Sequence, residues 1–196
     1  MPGICAIILA AGESKRMGSP KMLLDFSGFS MIETVIRNVR ESSVDDIVVV
    51  LGAYRDEIQK IVNNTGIKSC YNDIYKEGML SSVQCGFRNI PERTEAVLVF
   101  QGDQPLITSE VADIVINEFK RTGKGIIIPV YNKKRGHPLL IAHKYFEEVG
   151  NLDPQRGLRS LSEIFSEDVK EVSVKEAGIL RDFDTFDQYK KAINQI

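Results

Sequence analysis

Cysteine is scarce: the chain has three, Cys5, Cys70 and Cys85, an odd number with no Cys-x-x-Cys pair. That pattern argues against a disulfide framework and against a zinc knuckle, and it suits a reducing cytoplasm. Surplus charge is lacking too. Lys and Arg number 25, Asp and Glu 27, for a net charge of −2. Such a balance argues against a nucleic-acid binder held by a broad basic field, yet it leaves room for a small local cluster of cations. Long hydrophobic runs are missing. Residues 1–11 are apolar but carry no basic flank, are too short to span a bilayer and run into a charged loop. They read as a buried strand, so neither a targeting signal nor contact with a membrane is expected. Repeats, low-complexity tracts and linkers are absent. What remains is 196 residues, 43% hydrophobic and 27% charged. That is the balance of a soluble globular protein able to bury its own core, and residues 1–196 are expected to form one domain.

Apolar runs alternate with helical spacing along the chain. Continuous runs at residues 4–9, 46–51, 96–100 and 125–130 predict strands covered on both faces, and 67–71 a short one. Between them, apolar residues at 31, 32, 35, 36 and 39 predict a helix over 31–40. Further helices are expected over 55–62, over 81–89 before Pro91, and from a Thr108 or Ser109 cap through residue 119, with Gly123 as the stop. Past residue 130 the pattern loosens. Residues 133–136 read as a turn, 138–142 and 169–174 as strands, and 145–149, 157–165 and 185–193 as helices. Strands alternating with helices predict a three-layer α/β/α architecture, Rossmann-like, with a mostly parallel central sheet. Ligands in such sheets sit beyond the carboxyl ends of the strands, which marks the loops after Leu9, Tyr71 and Phe100.

The loop after the first strand is rich in small residues and holds Lys15, Arg16 and Lys21 within seven positions. Small residues let a backbone approach a ligand and offer it N–H groups, Arg grips phosphate bidentately, and Lys supplies a movable charge. A phosphate cradle fits, and a solvated surface loop is the competing reading. Neither the Walker A ending nor the Gly-x-Gly-x-x-Gly spacing is present.

Residues 9–21 read L-A-A-G-E-S-K-R-M-G-S-P-K. This resembles the L-A-A-G-x-S-x-R-M-G-x-x-K signature of nucleotidyltransferases that activate a phosphorylated substrate with an NTP. Within that superfamily it is most similar to the molybdenum cofactor cytidylyltransferases. The resemblance implies the nucleotidyltransferase version of the α/β/α fold. It implies that the backbone of Leu9, Ala10, Ala11 and Gly12 holds base and ribose, that Arg16 takes the β- and γ-phosphates, and that Lys21 takes the α-phosphate. Relatives that use GTP tend to read Leu-Ala-Gly-Gly where this chain has Leu-Ala-Ala-Gly, which favours CTP.

Four other segments carry the same resemblance. Asn72, Tyr75, Gly78-Met79 and the pair Ser81-Ser82 match a family pattern in which Ser82 meets the nucleotide base; as residue types alone, the serines read as helix caps. G-D-Q-P-L at 102–106 resembles the family's metal motif, so Asp103 is a candidate Mg²⁺ ligand beside its plain reading as a turn former. D-F-D-T-F-D at 182–187 resembles the D-x-D-T-x-x-D ending that completes the metal site, which would make Asp184 the second ligand. Its rival reading is a helix cap at Asp184 or Thr185. The same letters match the DxD of glycosyltransferases, where the motif follows a mid-chain strand. His137, in R-G-H-P, and Arg156 and Arg159, in R-G-L-R, resemble segments that face the second substrate. The position before Arg156 is Gln155 where the family is often acidic. Lys133, Lys134 and Arg135 read as a solvated turn able to meet phosphate, His143 and the cysteines as structural.

The resemblance, which runs from residue 4 to about 187, implies a Mg²⁺-dependent transfer of CMP from CTP to molybdopterin cofactor, with release of pyrophosphate. A molybdoenzyme or its maturation chaperone would then be a partner. Three alternatives stay open: GTP, or an NTP on a sugar or alditol phosphate, on the same fold; a glycosyltransferase; and a non-catalytic cofactor-binding chaperone. Against the last stands the intact set of Lys21, Asp103 and Asp184.

Overall fold

The computed structural model describes residues 3–183 and 185–193. Strand β1 (Gly3–Ala10) leads through the cation-bearing loop to a hairpin, β2 (Asp25–Phe26) and β3 (Phe29–Ser30), and then to helix α1 (Met31–Arg40). There follow β4 (Asp46–Leu51), α2 (Arg55–Thr65), β5 (Lys68–Tyr71), α3 (Met79–Phe87), β6 (Thr94–Gln101) and α4 (Ser109–Thr122). The rest comprises β7 (Ile126–Tyr131), β8 (Lys134–Arg135), β9 (Leu139–Ala142), α5 (Phe146–Asn151), α6 (Arg159–Ile164), β10 (Val169–Ser173) and α7 (Phe186–Ile193).

Eight strands form the main sheet, in the order β10-β7-β9-β6-β1-β4-β5, with β8 on β7. β1 pairs parallel with β4 and β6, β4 with β5, and β7 with β10; only β8 and β9 run against their neighbours. The expected three-layer, mostly parallel architecture is present. β1 lies inside the sheet between β6 and β4, and every residue from Ile4 to Ala10 is buried, as a strand covered on both faces must be. Alternation sends Ile4, Ala6 and Ile8 to one face, against α1, α2 and α4, and Ile7 and Leu9 to the other, against α3, α5 and α6. From β1 the chain goes to β4 on one side and later returns as β6 on the other. The order therefore reverses at β1/β6, where such sheets bind ligands.

Several boundaries differ from the sequence expectations. Residues 10–30 hold the β2–β3 hairpin, and its last residue, Ser30, caps α1 reciprocally with Glu33. α3 starts at Met79 because Gly78, at φ 109°, turns the chain directly into the helix. Ser81 and Ser82 therefore lie inside the helix rather than capping it. Thr108 stands at the N-cap of α4 but makes no side-chain capping bond. The turn at 133–136 includes β8, reached through Asn132 and Lys133 at φ 48° and 65°, the geometry of a tight hairpin. Among the described residues no helix is long and apolar enough to cross a membrane.

Gly52, just past β4, is where the sheet meets the first loop. A Cβ there would stand 2.6 Å from Ala11 Cβ, 2.7 Å from Ala11 O and 2.8 Å from Tyr75 Cβ, and the next amide, Ala53 N, donates to Ala11 O at 3.1 Å. Gly52→Ala is expected to lower unfolding free energy by about 1–3 kcal/mol, the usual range for overpacking. Urea denaturation measures this; an unchanged midpoint would mean that the loop yields freely.

Candidate active site

The loop after β1 folds back on itself. Ser14, at φ 52°, accepts the Met17 amide on its carbonyl and the Lys21 amide on its hydroxyl, the latter at 3.2 Å. A 3-10 turn over Lys21–Leu23 then aims Lys21 inward. On the neighbouring strand, Gly102 N donates to Leu9 O at 2.9 Å, and a Cβ at Gly102 would lie 2.9 Å from that same oxygen. Glycine is thus needed for the two strand ends to close up, and the turn places Asp103 under the loop. The Lys21 ammonium forms an ion pair with the Asp103 carboxylate, their side chains 12% and 9% exposed. At that degree of burial each charge depends on the other, because removing one strands its partner.

Asn72, just past β5 and 1% exposed, organises the third side. Its amide nitrogen donates to Ser81 Oγ at 2.9 Å and Ser82 Oγ at 3.0 Å, and its oxygen accepts the Ile74 amide at 3.2 Å. Ser81 donates back to carbonyls at Gly78 and Ile74. One buried amide thus fixes both serines and the start of α3.

These three segments enclose a cavity of about 300 Å³. It is lined by Leu9, Ala11, Gly12, Lys21, Ser82 and Asp103 from the sequence candidates, by Tyr75, Gly78 and Met79 from the motif after β5, and by Glu13, Lys76 and Gln101, to which motif reading gave no role. Lys76 and Gln101 belong to no motif of their own; their one signal is a place in the loops after Tyr71 and Phe100. Ala10 is fully buried at the end of β1, and Arg16 is exposed on the loop; neither lines the cavity.

A larger cavity, about 610 Å³, adjoins the first and shares Met79 with it. His137 and Arg159 line it, as do Lys133, Lys134 and Arg135, over an apolar wall of Ile128, Leu139 and Leu158. Glu171 also lines it and pairs with Arg135 at 2.7 Å. Arg156 does not reach this cavity; it pairs with Glu163 at 2.9 Å. Burial pulls the His137 pKa below its ordinary 6.5, against an opposing hydrogen bond to Val99 O, so the ring is held neutral.

Asp184 lies outside the described residues. Its neighbour Thr185 caps α7 in a reciprocal exchange with Gln188, at 3.0 and 3.3 Å. Phe183 packs with Phe26, Met31 and Tyr189, and the Tyr189 hydroxyl donates to Asp25 O at 2.6 Å. This cluster holds Phe183 against the hairpin that follows Lys21. The cysteines sit in packing positions. Burial pushes the Cys5 and Cys70 thiols up to about 12, which keeps them protonated.

Residues 6–172 match the model of the MobA-like NTP transferase domain. The chain belongs to this nucleotidyltransferase family. It is 28% identical over 190 residues to the molybdenum cofactor cytidylyltransferase of Escherichia coli, covering 96% of this chain and 95% of that one. It is 32% identical over 121 residues to the bifunctional protein GlmU of Clostridium tetani, covering 61% of this chain and 26% of that much longer one. Its fold matches the crystal structure of Rv0371c from Mycobacterium tuberculosis, with a TM-score of 0.85, 22% identity and 98% of each chain covered. A manganese complex of Rv0371c is among the similar structures, with a TM-score of 0.83, 22% identity, 99% of this chain and 100% of that one covered.

Two outcomes are expected of this nucleotidyltransferase. Asn72→Ala removes the donor shared by Ser81 and Ser82 and should cost about 1–3 kcal/mol of stability by denaturant unfolding. His137 is depressed in the folded state, so the unfolded chain binds the extra proton. Its contribution to stability is complete above about pH 6.5 and falls as pH drops below that value. His137→Gln should remove this part of the pH dependence, read from melting temperatures between pH 5 and 8.

Proposed function

We propose that this nucleotidyltransferase moves CMP from CTP to the terminal phosphate of molybdopterin cofactor, releasing pyrophosphate. The observation that carries the reading is the Lys21–Asp103 pair. It sits in a cavity of about 300 Å³ at the β1/β6 switch point, and Met79 lines both that cavity and a second one with a cationic rim. The second cavity suits an anionic acceptor: Lys133, Lys134, Arg135 and Arg159 meet its charge, and Ile128, Leu139 and Leu158 its ring system. The Escherichia coli relative supports this acceptor, and Leu-Ala-Ala-Gly at 9–12 supports CTP.

In this reading the backbone of Leu9 to Gly12 and the hydroxyl of Ser82 take base and ribose. Lys21 leaves Asp103 for the α-phosphate and holds charge there during in-line displacement. Arg16, exposed on the loop, reaches the β- and γ-phosphates. A terminal phosphate is already anionic and needs no general base, and His137 does not stand ready as one, since it is neutral and hydrogen-bonded through both ring nitrogens. The work is alignment and charge neutralisation.

The donor set suits a divalent cation. Asp103 already faces one positive charge, the Lys21 ammonium, and Mg²⁺ takes one or two carboxylates with the remainder from substrate phosphates. Asp103 would hold it, with Asp184 as the second carboxylate. The ion would supply neutralisation of charge on the leaving pyrophosphate.

GlmU similarity over 121 residues favours one second reading, an NTP used on a sugar phosphate. Pyrophosphate release with each NTP, with and without molybdopterin cofactor, separates the two. Release should be fastest with CTP and should require the cofactor. Release sustained by a sugar phosphate would favour the second reading, and equal, acceptor-independent release would overturn both. Lys21→Ala or Asp103→Ala should lower turnover by about 10²–10³-fold, and near-full activity of Lys21→Ala would refute the phosphate role.

A further inference from the structure

We infer that His137 is a positioning residue that acts through Gln101, turning its side-chain carbonyl toward the nucleotide cavity as the acceptor for a ribose hydroxyl. The inference rests on reading the smaller cavity as the nucleotide site.

His137 lines the larger cavity, yet both of its ring nitrogens are engaged inward. Nδ1 lies 3.4 Å from Val99 O, and Nε2 lies 2.8 Å from Gln101 Nε2. A backbone carbonyl only accepts, so Nδ1 carries the proton. The partly buried ring, its pKa pulled below 6.5, is neutral at pH 7, so Nε2 is a bare acceptor, and its partner must be the donor end of the Gln101 amide. The tautomer and the amide orientation thus follow from one carbonyl on β6. Neither ring nitrogen remains for an acceptor phosphate.

Gln101 belongs to the other cavity, which it lines at the end of β6. It stands in register with Leu9, where the backbone proposed for base and ribose begins. With Nε2 committed to His137, the carbonyl is the amide end left to a ligand. Phosphate oxygens at neutral pH have no proton to offer a carbonyl, whereas ribose hydroxyls do. An amide free to turn would present its NH₂ half of the time and lose that selectivity. His137 therefore lies against the acceptor cavity while its effect is on the nucleotide.

A double-mutant cycle on CTP binding, measured by calorimetry without acceptor, tests this. Gln101→Met and His137→Leu should each weaken CTP binding by about fivefold to tenfold, the worth of one hydrogen bond. The double variant should be no weaker than the poorer single one. His137→Gln, whose carbonyl can accept from the Gln101 amide, should keep most of the affinity. The loss in Gln101→Met should vanish with either 2′-deoxy- or 3′-deoxy-CTP. Additive losses would overturn the inference, as would a His137→Leu enzyme with normal CTP affinity and a raised KM for the acceptor. If His137→Leu does not fold, Gln101→Met against the two deoxynucleotides decides alone. A wild-type protein that binds no NTP would overturn the nucleotide-site reading itself; CTP binding without the ribose dependence overturns this inference only.

Discussion

β1 and β6 lie side by side, parallel and buried on both faces, so both must stop at the same edge of the sheet. Parallel neighbours cannot be joined by a tight turn, which leaves room at that edge for two independent loops. One loop carries Lys21 and the other Asp103, and the hydrogen bond from Gly102 N to Leu9 O draws them together. A third loop, after β5, is tied in by the buried amide of Asn72. The site follows from strand ends that have nowhere else to go.

The electrostatics follow from this closeness. Two opposite charges in a partly desolvated cleft stabilise each other only while both are present. A nucleotide entering the cleft must offer Lys21 at least as much negative charge as Asp103 does, and a triphosphate does so. The chain as a whole is nearly neutral, and a second local group of cations lines the larger cavity, where Lys133, Lys134 and Arg135 share a hairpin.

Much of this was legible in the residues. Doubly covered strands are written as unbroken apolar runs, and β1, β4, β6 and β7 were visible for that reason. Lys21 and Asp103 were visible because they stand in long, spaced motifs. Strands of two residues have no periodicity to read, so the β2–β3 hairpin was hidden. α5 and α6, six residues each, are too short for a helical repeat to fix their ends. Partnerships were hidden as well. Nothing in the spacing says that Lys21 rests on Asp103 or that His137 reaches Gln101, since both contacts join segments far apart in the chain. Arg156 and Arg159 are three apart and look equivalent in sequence, yet only Arg159 lines the larger cavity.

The cluster of Phe26, Met31, Phe183 and Tyr189 has a consequence for the order in which the molecule is made. Tyr189 grips Asp25, 164 positions earlier in the chain. During synthesis the loop that carries Lys21 emerges well before α7, and the hairpin behind it stays unsupported until α7 has left the ribosome. A segment made well before α7 is thus completed only together with it, and a chain interrupted before residue 189 would carry its sheet without the brace behind Lys21.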